Sequence, residues 1–189
     1  MIRIGILGNI GSGKSYVANK FGYPVFSADA EVAKIYKNNK KIYFKLKKKL
    51  PKYIFSFPIK KNEISKAILS NNTNFKRIIK IVHEEVRKKM RLFLKKNKNK
   101  KIVILDIPLL LENKINKKED ILIFVESKKK EIEKRLKKRK NFNRKLFRKF
   151  KKIQFHPNYK KRKSHFVIKN NFTKTHVNDN IKYILNEII

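Results

Sequence analysis

Ile2-Arg3-Ile4-Gly5-Ile6-Leu7-Gly8-Asn9-Ile10-Gly11-Ser12-Gly13-Lys14-Ser15-Tyr16-Val17-Ala18 sets an apolar run against a glycine-rich turn, and the turn against a helix-forming segment. Ile2–Leu7 reads as a buried strand, and Lys14–Phe21 as a helix that starts directly after the turn. Between them, Gly8 to Ser15 satisfies G-x-x-x-x-G-K-[ST] in full, in the strand-then-helix context that the motif requires. Glycines let such a backbone curl until successive N–H groups face one anion, and the helix N-terminus adds its dipole. Lys14 is then placed to reach the β- and γ-phosphates of a nucleotide, and the Ser15 hydroxyl to bind Mg²⁺.

The glycine distribution supports the same reading. All five glycines of the 189-residue chain (Gly5, Gly8, Gly11, Gly13 and Gly22) lie within the first 22 positions. If drift removes glycine wherever another residue will serve, those that remain mark backbone with positive φ or close approach. The chemistry is expected to begin there.

Outward from this loop the pattern alternates short apolar strands with longer amphipathic helices. Pro24-Val25-Phe26 reads as a second strand and Glu31–Lys37 as a helix. Residues 40–100 read as mostly helical and basic, with Ile64, Ile68, Phe75, Ile78, Ile79 and Val82 at helical spacing. Ile102–Ile107, Ile121–Val125 and Phe166–Ile168 read as further strands, and Val177–Ile188 as a closing helix. Continuous apolar strands separated by helices predict an α/β fold, a doubly wound parallel sheet covered on both faces. Ligands of such sheets bind beyond the carboxyl ends of the strands. The loop after Leu7, Asp29, Asp106 and the segment Pro108–Glu112 all fall there.

Composition excludes several classes. With 41% apolar residues the chain can build a core, and with no cysteine it has neither disulfides nor a thiolate metal site. No apolar run approaches the roughly 18 residues of a membrane span, and no secretory leader is legible. The expectation is a cytoplasmic protein with no membrane partner. No sequence feature sets an oligomeric state. The formal net charge of +38 invites a nucleic-acid reading. Lysine, asparagine, isoleucine and phenylalanine are all abundant, however, and their codons are A/T-rich. Mutational bias accounts for the charge without a specific nucleic-acid site, although the field still attracts anionic nucleotides.

Individual candidates keep alternatives. Asp29 can orient or deprotonate an acceptor hydroxyl, or can cap the helix that follows it. Asp106 ends the strongest strand and can serve the metal or make a structural hydrogen bond. Arg139 and Arg144 lie in the basic stretch 128–163, where arginine forks suit phosphate oxygens but most neighbours read as solvated helix faces. His83 sits in an amphipathic helical segment, where a lone histidine is usually structural, and none of the four histidines has metal-ligand spacing.

The stretch Ile6–Ala18 resembles the start of the dephospho-coenzyme A kinases. Val25-Phe26-Ser27-Ala28-Asp29 resembles that family's V-I-D-A-D segment, and His83 falls at its H-P pair. Pro108-Leu109-Leu110-Leu111-Glu112 is similar to its P-L-L-x-E. The spacing from Lys134-Arg135 through Arg139 and Arg144 to Gln154 resembles its lid, and Val167-Ile168-Lys169-Asn170 its V-I-x-N. Departures are Leu7 for threonine, Asn9 for glycine, Ser27 for the first aspartate of D-A-D, Glu84 for proline and Ser164-His165 for Ala-Asp. The resemblance implies a P-loop kinase core (residues 1–29, 101–127 and 164–189), a helical acceptor-binding region at about 30–95 and a lid at about 135–160. It implies ATP and Mg²⁺ as cofactors and phosphorylation of the ribose 3′-hydroxyl of dephospho-coenzyme A. The residues it implies for ATP are Gly8, Asn9, Ile10, Gly11, Ser12, Gly13, Lys14, Ser15, Tyr16 and Arg139. Asp29, His83 and Leu109 would meet the acceptor, Lys14, Asp29 and Arg139 would act in catalysis, and Ser15 would hold the metal. Competing readings are a nucleoside-monophosphate type of P-loop kinase, a basic nucleic-acid-binding protein switched by ATP, and an inactive relative.

Overall fold

The computed structural model describes residues 1–139 and 142–189. In chain order the elements are β1 (Ile2–Gly8), α1 (Lys14–Lys20), β2 (Val25–Ser27), α2 (Ala28–Asn38), α3 (Lys40–Lys49), α4 (Lys61–Ser70), α5 (Asn72–Lys96) and β3 (Ile102–Asp106). There follow β4 (Ile121–Glu126), α6 (Lys129–Lys137), α7 (Arg144–Lys152), α8 (Pro157–Arg162), β5 (Phe166–Lys169) and α9 (Lys174–Ile188). The chain divides into two compact units. One comprises Met1–Ser27, Asn97–Asn143 and Phe150–Ile189, and the other Ala28–Lys96 with Arg144–Lys149.

The first unit is built on a five-stranded sheet of order β2-β3-β1-β4-β5 in which every pairing is parallel. Its strands are apolar throughout because parallel strands are covered on both faces, and all five residues of β3 are buried. On one face, Ile4, Ile6, Ile102, Ile104, Ile123, Val125 and Ile168 form a core with Val17, Ala18 and Phe21 of α1 and Val177, Ile181 and Ile184 of α9. On the other face Gly5 leaves room for Leu110, whose Cδ2 lies 2.5 Å from where a Cβ on Gly5 would be. Connections leaving β1 and β4 run to opposite sides of the sheet, which makes their carboxyl ends the switch point. Register places Gly8 beside Val125, Glu126 beside Lys169 and Ser27 beside Asp106, so the loops after these strands share one edge.

A charge within this core is neutralised locally. Arg3, inside β1, donates to Asp120 Oδ2 at 2.9 Å, and the same oxygen accepts from the Lys117 amide at 2.9 Å. Burial pushes the Asp120 carboxyl up, against the opposing pull of the Lys117 amide bond and Arg3.

The second unit is helical. α5 carries the stripe Phe75, Ile78, Val82 and Val86 that α2, α3 and α4 pack against. Asn39 caps α3 by accepting from the Ile42 amide at 3.0 Å. Buried Glu63 gathers the loop before α4, accepting from the amides of Phe55 and Ser56 and from the Ser56 hydroxyl.

The predicted alternation of strands and helices is present, with shifted bounds. α2 starts at Ala28 rather than Glu31, directly after β2, and Asp29 and Glu31 in its first turn suit the positive helix end. The helical stretch 40–100 resolves into three helices, and the closing helix starts at Lys174.

Asp120→Ala should lower stability by about 3–5 kcal/mol, because Arg3 would be left charged and enclosed without a partner. A urea melt monitored by circular dichroism checks this, and a midpoint equal to wild type would refute it.

Candidate active site

The glycine-rich turn joins β1 to α1 at the sheet's carboxyl edge. The Ser12 amide donates to Asn9 O at 3.1 Å, and the Val17 amide closes the first turn of α1 on Gly13 O at 3.0 Å. Gly13 sits at the helix start with φ 90° and ψ 18°, a left-handed conformation that disfavours a side chain. A Cβ there would also meet Asn170 Nδ2 at 2.4 Å. Lys14 is buried and folds back over the loop, its ammonium donating to Asn9 O at 2.9 Å. That places the cation against the turn of amides, where phosphate oxygens are the natural acceptors. Ser15 is exposed in the first turn of α1. The ring of Tyr16 packs against the core. Ile10 is half-buried on the loop.

α6 packs directly on the loop. A Cβ on Gly11 would come within 3.0 Å of Ile132 and 3.3 Å of Leu136. Further along α6, the Arg135 guanidinium lies 4.2 Å from the centre of the Phe172 ring, on the segment after β5. A cation over an aromatic face makes a flat, partly apolar wall of the kind that purines stack on. Arg139 follows α6 on an exposed turn, its amide bonded to Leu136 O at 3.2 Å, and Arg144 opens α7.

Asp106 is buried at the end of β3, level with Ser27. Leu109 and Glu112 lie on the turn that follows. Glu112 Oε1 takes the buried Lys160 ammonium at 2.7 Å and the Phe155 amide at 2.8 Å. No sequence signal pointed to Lys160, since one lysine among many carries no pattern. Glu112 anchors the chain after α7 through this ion pair.

In the helical unit, Asp29 is the second residue of α2, inside its first turn and not at the cap position. His83 is half-buried on α5. Burial first, and then the neighbouring Arg87, hold its pKa below the ordinary histidine value, which favours neutral imidazole. Glu84 is exposed and bonds Lys88 at 3.2 Å, one turn on.

No group of three or more His, Cys, Asp or Glu side chains among the described residues forms a metal cluster. No helix among them is long and apolar enough to cross a membrane.

A parallel sheet with this strand order, carrying a phosphate-binding loop after its central strand, defines a P-loop kinase. A shikimate kinase from Acinetobacter baumannii shares the fold at a TM-score of 0.54 and 15% identity, covering 100% of this chain and 93% of its own. The family model for dephospho-CoA kinase matches residues 2–176, and the chain belongs to that family. A dephospho-CoA kinase from Wolbachia sp. subsp. Brugia malayi is 33% identical over 98% of this chain and 97% of its own. A Thermus thermophilus crystal structure aligns at a TM-score of 0.77 with 28% identity, over 100% of this chain and 98% of that one. Dephospho-CoA kinase from Campylobacter jejuni shares the fold at a TM-score of 0.63 and 21% identity, over 98% and 96%. The chain is thus a phosphotransferase of coenzyme A biosynthesis, using ATP to phosphorylate dephospho-CoA.

The histidine sets a pH dependence. The unfolded chain takes up a proton on His83 at about pH 6.5, whereas the folded chain resists until lower pH. Stability present above that pH is therefore lost as the pH falls. Urea midpoints between about pH 7.5 and 5 should fall less steeply for His83→Gln than for wild type. Superimposable slopes would remove His83 as a contributor.

Proposed function

We propose that the γ-phosphate of ATP passes to the ribose 3′-hydroxyl of dephospho-coenzyme A at the carboxyl edge of the sheet, with Lys14 and Asp29 as the principal catalytic residues. The observation that carries this is the Lys14 ammonium held against the glycine-rich turn. In this reading Gly8, Asn9, Ile10, Gly11, Ser12, Gly13, Ser15 and Tyr16 surround the phosphates with backbone amides. Lys14 stabilises charge developing on the β–γ bridging oxygen as its bond to phosphorus breaks. Arg139 supplies a second cation from the lid, residues 135–160. Asp29, two residues past the end of β2, orients the acceptor hydroxyl and receives its proton as the oxygen attacks phosphorus. His83 and Leu109 bind the acceptor, His83 as a neutral imidazole, and residues 30–95 form the acceptor region.

The donor set fits Mg²⁺. The exposed Ser15 hydroxyl and the Asp106 carboxylate are hard oxygen donors, and few protein ligands suit an ion that keeps waters and phosphate oxygens around it. When bound, the ion neutralises charge on the β- and γ-phosphates. We place the reaction in the cytoplasm, with no specific nucleic-acid partner for the basic surface.

Lys14→Ala should reduce turnover with MgATP and dephospho-CoA by roughly a hundredfold or more, equivalent to on the order of 3 kcal/mol. Near-native turnover would overturn the assignment of the loop.

Asp29→Asn separates chemistry from helix stability. It keeps side-chain volume and removes basicity, so kcat should fall roughly 10²–10⁴-fold with little change in ATP affinity. The melting temperature should move only slightly, because a first-turn acid contributes about 0.3–1 kcal/mol through the helix dipole. A variant that folds and keeps near-native kcat would remove Asp29 from the mechanism.

A further inference from the structure

One carbonyl of the phosphate loop is held by two side chains from outside it. Ser12 O accepts from Ser127 Oγ at 2.9 Å and from Asn170 Nδ2 at 2.8 Å. Ser127 stands just past β4 and Asn170 just past β5, where the sheet register brings both to the level of the loop. We propose that Ser127 and Asn170 are positioning residues that fix the direction of the Ser12–Gly13 peptide and so make the loop ready to take the phosphates of ATP. The inference rests on the assignment of the Gly8–Ser15 turn as the phosphate-binding loop.

The argument is geometric. In a trans peptide the C=O and the following N–H point in opposite directions. A Ser12 oxygen drawn towards the ends of β4 and β5 therefore turns the Gly13 N–H away from them, as a donor for an anion. Without the two donors, that peptide is free to rotate and present its oxygen, which repels phosphate.

Asn170 is itself held by its backbone N–H and by both polar atoms of its side chain. Its side chain is buried, its Oδ1 accepts from the Phe172 amide at 2.9 Å, and its own amide donates to Glu126 O at 2.7 Å. The Phe172 contact requires an oxygen and the Ser12 contact a nitrogen, so one side-chain orientation satisfies both. Gly13 belongs to the same arrangement, since a Cβ there would strike this amide group. The bond to Phe172 also joins the loop to the segment that carries the Arg135–Phe172 stack.

Neither residue needs to touch the nucleotide, so the test must separate positioning from general stability. Ser127→Ala removes one donor from a half-buried site with little risk to folding, and Ser127→Thr restores a hydroxyl. Asn170→Asp keeps the shape and the acceptor for Phe172 but cannot donate to Ser12 O. Calorimetric Kd values for MgATP should rise about fivefold for Ser127→Ala and tenfold or more for Asn170→Asp. Ser127→Thr should return to within about twofold of wild type, and the KM for dephospho-CoA should stay within about twofold in Ser127→Ala. MgATP affinity unchanged in both Ser127→Ala and Asn170→Asp would overturn the proposal. So would a lowered melting temperature without an ATP effect, or a Thr variant that fails to rescue. MgATP binding by wild type reports on the loop assignment separately from all three variants.

Discussion

Gly13 has no room for a side chain: a Cβ there would lie 2.4 Å from Asn170 Nδ2, and its φ of 90° already disfavours one. The constraint arises because a loop that binds phosphate through backbone N–H groups must bring its backbone close to the ends of neighbouring strands. The sheet supplies those ends in register, β1 delivering the loop while β4 and β5 deliver Ser127 and Asn170. α6 closes over Gly11 from another side. The loop is therefore enclosed by elements distant in sequence, and it keeps its shape because each of them contributes a specific contact.

The chain also shows what a strongly biased composition spares. Against 52 lysines and arginines it has 14 acidic residues, and those with buried side chains include three with defined work. Asp120 neutralises Arg3, Glu112 holds Lys160, and Glu63 gathers the turn before α4. Enclosing an unpaired cation is costly, so acids persist where a buried base needs them. The glycines follow the same logic. Gly5 admits Leu110 against the sheet, and the other four have φ between +74° and +148°.

Departures from the family pattern have local explanations. Asn9, read from the sequence as a departure from the family's glycine, is not among the described residues with positive φ, so a side chain is tolerated. His165 replaces an aspartate and still accepts a hydrogen bond, its Nδ1 receiving the Leu122 amide at 2.9 Å to extend the pairing of β4 and β5. Glu84 replaces a proline, and α5 runs without interruption from Asn72 to Lys96 because the backbone donor that proline lacks is present.

The sequence by itself determined the α/β class, the strand-loop-helix around Gly8–Ser15 and the family, because short-range spacing dictates all three. Strand bounds were legible to within a residue or two, since continuous apolar runs mark buried parallel strands. Helix bounds in the basic stretches were less so, because lysine-rich segments carry little contrast between faces. Asp29 read equally as a cap or as a catalytic group, and only the start of α2 at Ala28 removed it from the cap position. The roles of Ser127, Asn170, Phe172 and Lys160 were decided by tertiary structure alone. Each acts across more than 35 residues of chain, on Ser12, Arg135 or Glu112, and no sequence spacing records which strand ends a parallel sheet will set side by side.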